Sequence, residues 1–268
     1  MKRFLFPIFL LFLFLDALFF VTSDVIHAQD DAPDELLPVP TPIPRVHRQD
    51  SITQMMTLIE ETYGVGFAYP DEWIPGTPAE VIQYVDFMHD VMEALDIAAV
   101  YLHYYDGAPD DMSPPEYFRQ HFDRANIQID RVSQIDGRFV GNTLPIIEDG
   151  ELLGFTIQLT FAGVGGPFIL IHELGHVVDG LLDDMPQNQF VDALGGEFSE
   201  VAWIPGDGYE GNEELFPRAV AGPNEDFADT FSNMMLGRLS VVPVRYNFML
   251  ENLPAWLESI RELPESDG

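Results

Sequence analysis

Cysteine is absent from all 268 residues of the chain. Without thiols, the protein cannot form disulfide bonds, bind a metal through sulfur, use a cysteine nucleophile or carry a lipid on a cysteine. Any metal site must therefore use histidine and carboxylate ligands. Histidine is also scarce, since the chain has seven and none follows His176. A metal site completed by a third, downstream histidine is therefore excluded.

Basic residues are few. The chain has 12 lysines and arginines against 45 acidic residues, which gives a formal net charge of −33. Such a surface repels phosphate backbones, so we expect no nucleic-acid partner. The acidity is typical of a well-solvated or salt-adapted surface.

Two groups of aspartates could offer oxygen ligands to calcium. They are Asp106 with Asp110 and Asp111, and Asp183 with Asp184. Neither group has the alternating spacing of a calcium-binding loop, so calcium is a secondary expectation.

The longest apolar run lies at the N-terminus. Two basic residues precede a stretch from residue 4 to 21 that is apolar except for Asp16. This order is typical of a secretory signal peptide, and cleavage is expected after Ala28. The alternative is an uncleaved membrane anchor, because the same stretch is barely long enough to span a bilayer. We therefore expect residues 1–28 to be removed and the protein to be secreted, with membrane contact only if the segment is kept.

The rest of the chain divides into a linker and one domain. Residues 29–50 contain five prolines among acidic and small residues, a composition that favours an extended chain. Hydrophobic residues make up 47% of the sequence, which is enough for a packed core and too much for a disordered chain. Residues 51–268 have the length of one ordinary domain.

Hydrophobic spacing predicts both helices and strands in this domain. Helices are expected over residues 51–62, from a cap at Thr77 onward, and near 116–124. Residues 97–105 are rich in apolar and aromatic side chains and predict a strand. Further strands are expected across 126–162. The clearest runs from 153 to 161, where apolar and polar residues alternate. This mixture predicts an α+β fold.

The helix that begins at Pro167 contains the pattern H-E-x-x-H. At 3.6 residues per turn, His172 and His176 lie one above the other and can bind the same ion, whereas Glu173 is rotated by about 100°. Glu173 is then close to the ion without ligating it, so it can take a proton from bound water and pass it to a leaving amine. Gly175 weakens a helix interior, which indicates that another backbone packs closely there.

A catalytic zinc ion needs a third protein ligand and an open position for water. The best carboxylate candidate lies in a predicted helix capped by Asn224, which has one polar and one apolar face. The polar face carries Glu225, Asp229, Ser232 and Asn233, and the apolar face carries Phe227, Phe231, Met234 and Met235. Such a helix can bury its aromatic side while it turns Glu225 and Asp229 toward one point.

The pair of segments H-E-L-G-H and E-D-F-A-D, the latter at 225–229, resembles the gluzincin branch of the zincin metallopeptidases, in particular the catalytic domain of the anthrax lethal factor family. The resemblance covers two helices. It implies a zincin-like domain, with a small twisted sheet packed on the active-site helix and a helical C-terminal part. It also implies that Glu225 is the third zinc ligand and that Asp229 accepts a hydrogen bond from a zinc-bound histidine, a role that carboxylates commonly have.

Three further roles are expected. Asp179 lies on the same helical face as His172, so it could replace Asp229 as the supporting carboxylate or cap the helix end. The family stabilises the oxyanion with a tyrosine or histidine, and Tyr209 is the candidate here. An edge strand of zincins pairs with extended peptides, a role that would suit the strand at 153–161, although a purely structural strand is the alternative.

These features predict a secreted, zinc-dependent metallopeptidase that hydrolyses peptide bonds by Glu173-assisted attack of zinc-bound water. We expect an endopeptidase rather than an exopeptidase, acting on peptides or proteins. Its acidic rim would disfavour acidic substrates and could favour basic ones. Two alternatives remain open: a secreted zinc-binding or adhesive module without turnover, and an amide hydrolase that acts on cell-wall material.

Overall fold

The structure is a computed structural model that describes residues 52–109, 111–133, 135, 140–160 and 167–263. The expected signal peptide, residues 1–28, and the expected linker, residues 29–50, lie outside these residues. Within the described part of the chain, no helix is both long and apolar enough to cross a membrane.

The described residues form seven α-helices and six strands. The helices are α1 (Ile52–Tyr63), α2 (Pro78–Tyr105), α3 (Pro114–Phe122), α4 (Phe168–Leu181), α5 (Met185–Leu194), α6 (Pro223–Met235) and α7 (Pro243–Glu262). The strands are β1 (Gly66–Phe67), β2 (Ile127–Val132), β3 (Gly141–Glu148), β4 (Glu151–Thr160), β5 (Gly196–Phe198) and β6 (Trp203–Pro205). The fold is therefore of the α+β class, as the sequence predicts.

The start of α2 confirms the predicted cap. The Thr77 hydroxyl accepts a hydrogen bond from the backbone N–H of Glu80 (3.2 Å), and the Glu80 carboxylate accepts one from the backbone N–H of Thr77 (3.0 Å). This reciprocal arrangement satisfies two N–H groups that the first turn of a helix leaves without partners.

The prediction of a strand at 97–105 is wrong, because these residues form the last turns of α2. Their buried side chains continue the helical spacing of the preceding residues, as Leu95, Ala98, Ala99 and Leu102 show. No glycine or proline separates the two parts of the helix. Packing of one continuous apolar face therefore outweighs the strand-like composition of the segment.

The main sheet has four strands in the order β1-β2-β4-β3. The pairs β1–β2 and β2–β4 are parallel, and β3–β4 is antiparallel. The predicted strand at 153–161 is confirmed as β4, but among the described strands β4 is an inner strand and β3 forms one edge. Side-chain alternation identifies the buried face of a strand, whereas its place in the sheet depends on the strands that pair with it. The proposed edge-strand role therefore passes from β4 to β3.

Helices α4 and α6 pack closely, as the glycine in α4 predicts. A Cβ atom at Gly175 would lie 3.1 Å from the Cα of Ala228 and 3.3 Å from the Cβ of Phe231. The first residue of α6 is Pro223, so Gly222 and not Asn224 occupies the capping position. Proline suits the first position of a helix because it has no N–H and a fixed φ, which moves the start one residue earlier than expected.

A buried ion pair holds α7 against α6. Arg245 is fully buried and donates hydrogen bonds to Asp226 (2.5 Å) and Thr230 (2.8 Å) of α6, and to the backbone carbonyl of Asp207 (3.0 Å). Removal of one partner from such a pair leaves a charge buried without compensation. The pair therefore anchors α6, the helix that carries Glu225.

The contact at Gly175 makes a testable prediction about the spacing of α4 and α6. Substitution Gly175→Val should lower the free energy of unfolding by about 1–3 kcal/mol, because its methyl groups overpack the contact. It should also weaken binding of a divalent metal, since the two helices are forced apart. Chemical denaturation and metal titration would measure both effects. The matched control is Ala79→Val, at an exposed position of α2, and equal behaviour of the two variants would contradict the prediction.

Candidate metal centre

Three side chains from α4 and α6 converge on one point. The Nε2 atom of His172 lies 3.1 Å from one carboxylate oxygen of Glu225, and the Nε2 atom of His176 lies 3.4 Å from the other. One ligand atom from each of the three residues lies within 4.8 Å of the others. This group could hold a metal ion, and it unites residues 53 positions apart in the chain.

The spacing of these atoms is that of a group that could hold a metal ion. Ligand atoms around a tetrahedral ion with bonds of about 2.0–2.2 Å lie about 3.4 Å apart. The observed nitrogen–oxygen separations, 3.1 and 3.4 Å, are close to this value. His172 is 1% exposed, whereas His176 and Glu225 are 15% and 19% exposed. The cluster is therefore closed on the His172 side and reachable from the side of the other two ligands.

Asp229 fixes the orientation of His172. Its Oδ1 atom lies 2.9 Å from Nδ1 of His172, and the carboxylate is fully buried. Its other oxygen accepts a hydrogen bond from the backbone N–H of Arg218 (2.7 Å). A carboxylate at Nδ1 places the proton on that nitrogen and leaves Nε2 to face Glu225. The geometry thus gives Asp229 the position that the gluzincin resemblance implies.

Glu173 lies beside the three ligands and is itself buried. One of its carboxylate oxygens accepts a hydrogen bond from the Thr143 hydroxyl (2.8 Å), and the other lies 3.8 Å from a guanidinium nitrogen of Arg218. Gly141 makes room for this carboxylate, because a Cβ atom there would lie 2.5 Å from Oε1 of Glu173. The side chain is therefore held in one place by residues of β3.

A cleft of about 720 Å³ opens onto the cluster. This volume is within the usual range for small-molecule and cofactor pockets, about 300–1,000 Å³. One wall is formed by β3, through Gly141, Asn142, Thr143, Pro145 and Ile147, and the residues from α4 include Glu173 and His176. Arg218 and the first turn of α6 also line the cleft. The strand β3, the candidate ligands His176 and Glu225, and the buried carboxylate of Glu173 thus line the same cleft.

The charges of the cluster favour a cation. Burial by itself lowers the pKa of His172, but hydrogen bonds to Asp229 and Glu225 and the nearby charge of Glu173 outweigh it and raise the pKa overall. Burial likewise raises the pKa of Glu225, but hydrogen bonds to His172 and His176 outweigh it and lower the pKa well below its usual range. Protons and metal ions therefore compete for the same group, so metal binding should release protons.

Comparison of the chain with protein-family models, with curated proteins and with solved structures found no match. The resemblance to the gluzincins therefore rests on two helices alone. Those helices are α4 and α6, which the structure packs together.

Tyr209 does not lie at the cleft. The loop that carries it packs against the core, and its backbone N–H donates to the carbonyl of Gly206. The described residues that line the cleft include Arg218 instead. Sequence patterns missed Arg218 and Thr143 because neither belongs to a motif. Both reach Glu173 only through the packing of β3 and of the segment before α6 against α4.

Asp179 has a different partner from Asp229. Its Oδ1 atom accepts a hydrogen bond from the backbone N–H of Gln187 (2.9 Å), in the first turn of α5. Asp179 therefore ties the end of α4 to α5, and Asp229 is the carboxylate at Nδ1 of His172. Asp179 also lines the cleft.

The described aspartates that were considered for calcium belong to no group of three or more potential ligands, so calcium binding stays a prediction. Asp183 and Asp184 line the cleft, Asp106 accepts a hydrogen bond from Tyr117, and Asp110 lies outside the described part. Within that part, the only group of three or more potential ligands is the one formed by the two histidines and Glu225.

The ligand geometry predicts how metal binding depends on each carboxylate. Substitution Glu225→Ala should remove most bound divalent metal, because only two ligands remain. Substitution Asp229→Ala should weaken binding by about 10- to 100-fold, because it leaves the ligands in place and frees the ring of His172. Elemental analysis and metal titration would measure both. The control is Glu251→Ala, at an exposed position of α7; unchanged metal content in Glu225→Ala would disprove the ligand assignment.

The raised pKa of Asp179 leads us to expect that the stability of the folded protein depends on pH. Burial raises the pKa of this carboxyl from 3.8 to about 6, so the folded protein keeps a proton that the unfolded chain releases between these values. Binding of this proton stabilises the folded state at low pH, and this stabilisation is lost as the pH rises through about 6. Asn at this position stays neutral and keeps the carbonyl oxygen that accepts from Gln187.

We therefore expect Asp179→Asn to gain stability over wild type as the pH increases. Between about pH 5 and about pH 8, the difference in unfolding free energy should grow by roughly 1 kcal/mol. Urea denaturation of the metal-free proteins across this range would measure it. A difference that does not change with pH would contradict the assignment.

Proposed function

We propose that this protein is a zinc-dependent peptidase with a zincin-like fold. His172, His176 and Glu225 would hold the zinc ion, and Glu173 would act as the general base. The observation that carries the proposal is the convergence of two imidazoles and one carboxylate, next to a second, separately held carboxylate that lines the same cleft as His176 and Glu225. Two nitrogen ligands, one oxygen ligand and no sulfur are typical of catalytic zinc sites.

Each protein group has a distinct chemical part in this proposal. A zinc ion held there would act as a Lewis acid and lower the pKa of a bound water to about 7. Thr143 holds one oxygen of Glu173, which leaves the other to accept a proton from the attacking water. Glu173 then returns that proton to the leaving nitrogen. Asp229 keeps the ring of His172 in place throughout.

Peptide substrates are favoured by the position of β3. Among the described residues β3 pairs only with β4, and residues of β3 line the cleft next to Glu173. An extended peptide can add to such an edge through main-chain hydrogen bonds. Asp179, Asp183 and Asp184 line the same cleft, which supports a preference for basic over acidic segments.

The proposal includes the fold type and the location of the protein. A sheet whose antiparallel edge strand runs beside the ligand-bearing helix supports a zincin-like arrangement. Secretion rests on the N-terminal sequence pattern, which lies outside the described residues.

The decisive test combines metal analysis with peptide cleavage. Purified protein should contain about one zinc ion, as expected for a single three-ligand site. It should cleave members of a mixed peptide library, and chelation should abolish cleavage until zinc is restored. Protein that binds zinc and cleaves no peptide would overturn the peptidase proposal. Release of amines from cell-wall fragments would then identify an amide hydrolase, and no turnover at all would identify a zinc-binding module.

Substitution Glu173→Gln isolates the role of the general base. The variant should retain zinc and lose about 10²- to 10⁴-fold in turnover, because the amide cannot accept the proton. The control is Glu251→Gln, on the exposed side of α7, which should match wild type in both measurements. Full activity in Glu173→Gln would eliminate Glu173 as the base, and loss of zinc would show that its role is structural.

A further inference from the structure

Arg218 places a permanent positive charge in the cleft. It is the only lysine or arginine among the described residues that line this space. One of its guanidinium nitrogens lies 3.8 Å from Oε1 of Glu173, and its side chain is 14% exposed. In a chain with 12 basic and 45 acidic residues, a largely buried arginine beside the reacting groups needs a specific explanation.

The backbone of Arg218 is fixed to the metal centre. Its N–H donates to Asp229 (2.7 Å), and the other oxygen of Asp229 lies 2.9 Å from the ring of His172. The short 3₁₀ turn that follows, Ala219–Ala221, packs against α6 and buries Ala219. The backbone of Arg218 and the ring of His172 thus contact the same carboxylate, that of Asp229. The fold therefore sets the position of Arg218 relative to the candidate metal ligand His172.

The guanidinium is not required to hold Glu173. Thr143 already binds that carboxylate at 2.8 Å, whereas the separation from Arg218 is 3.8 Å and too long for a hydrogen bond. The guanidinium makes no hydrogen bond to the part of the chain that the structure describes. Arginine has five N–H donors, so this group can bind a further oxygen that enters the cleft.

We infer that Arg218 stabilises the oxyanion of the tetrahedral intermediate, a step that rests on the proposed peptidase function. Water adds its oxygen to the carbonyl carbon, its proton goes to Glu173, and the carbonyl oxygen becomes negatively charged. Collapse restores the C=O bond, breaks the C–N bond and transfers the proton to the departing nitrogen. Arg218 lines the same cleft as Glu173 and lies 3.8 Å from one of its oxygens, so its donors are within reach of a carbonyl group that water activated by Glu173 would attack. It takes the role that the sequence suggested for Tyr209.

Binding of a free C-terminal carboxylate is the competing role for an arginine in such a cleft. The two roles, oxyanion stabilisation and binding of a terminal carboxylate, differ in the stage of the reaction at which Arg218 contacts the substrate. An oxyanion exists only in the transition state and its intermediate, so its stabilisation affects kcat, whereas a terminal carboxylate is present in the bound substrate and affects KM. The proximity of Arg218 to Glu173 favours the first role, because the general base must lie next to the carbonyl under attack.

The test compares Arg218→Ala and Arg218→Lys with wild type in the zinc-loaded protein, on peptides that carry a C-terminal amide. We expect unchanged zinc content, a kcat about 10²- to 10³-fold lower in Arg218→Ala with little change in KM, and partial activity in the lysine variant. Added guanidinium at millimolar concentration should restore part of the activity of Arg218→Ala. The control is Arg261→Ala, at a 45% exposed position of α7, which should behave as wild type.

A binding measurement gives a second readout without turnover. A phosphinic peptide, which mimics the tetrahedral intermediate, should bind Arg218→Ala about 10²-fold more weakly than wild type by calorimetry, while the cleavage product should bind equally to both. Equal weakening for both compounds, or an effect only on peptides with a free C-terminal carboxylate, would overturn the inference. So would wild-type kcat in Arg218→Ala. Wild-type protein that cleaves no peptide would instead contradict the proposed function itself.

Discussion

The close contact of α4 with α6 is the constraint on which the rest of the structure depends. Gly175 lacks the side chain that would separate the helices, and its backbone packs against Ala228. At this separation, a carboxylate in the first turn of α6 reaches two imidazoles on α4. The buried pair of Arg245 and Asp226 holds α6 from α7.

Three buried carboxylates at the site each have a different partner. Asp229 is paired with His172, Asp226 with Arg245, and Asp179 with the backbone of α5. Each would be costly to bury alone, and each partner ties a different element to the metal centre. The low exposure that makes these charges costly to bury also strengthens their hydrogen bonds.

The cleft combines a strongly negative surround with one fixed positive charge. Carboxylates of the ligand cluster and of the α4–α5 segment line it, and Arg218 is their only lysine or arginine neighbour in the described lining. The first group of charges would attract a cation to the cluster. In the proposed reaction, Arg218 would stabilise the negative charge that develops on the substrate. The carboxylates and the Arg218 guanidinium thus lie in the same cleft, which requires a rigid scaffold that holds each group in place.

The sequence alone determined the α+β class, the helix that carries His172, Glu173 and His176, and the close approach at Gly175, because each is written in local spacing. It also limited the third ligand to a carboxylate. Tertiary structure decided that residues 97–105 continue α2 and that β3, not β4, is the edge strand, since both depend on packing partners far away in the chain. Thr143 and Arg218 reach Glu173 for the same reason. Contacts between segments of distant sequence leave no periodic signal, so they became visible only when the fold brought them together.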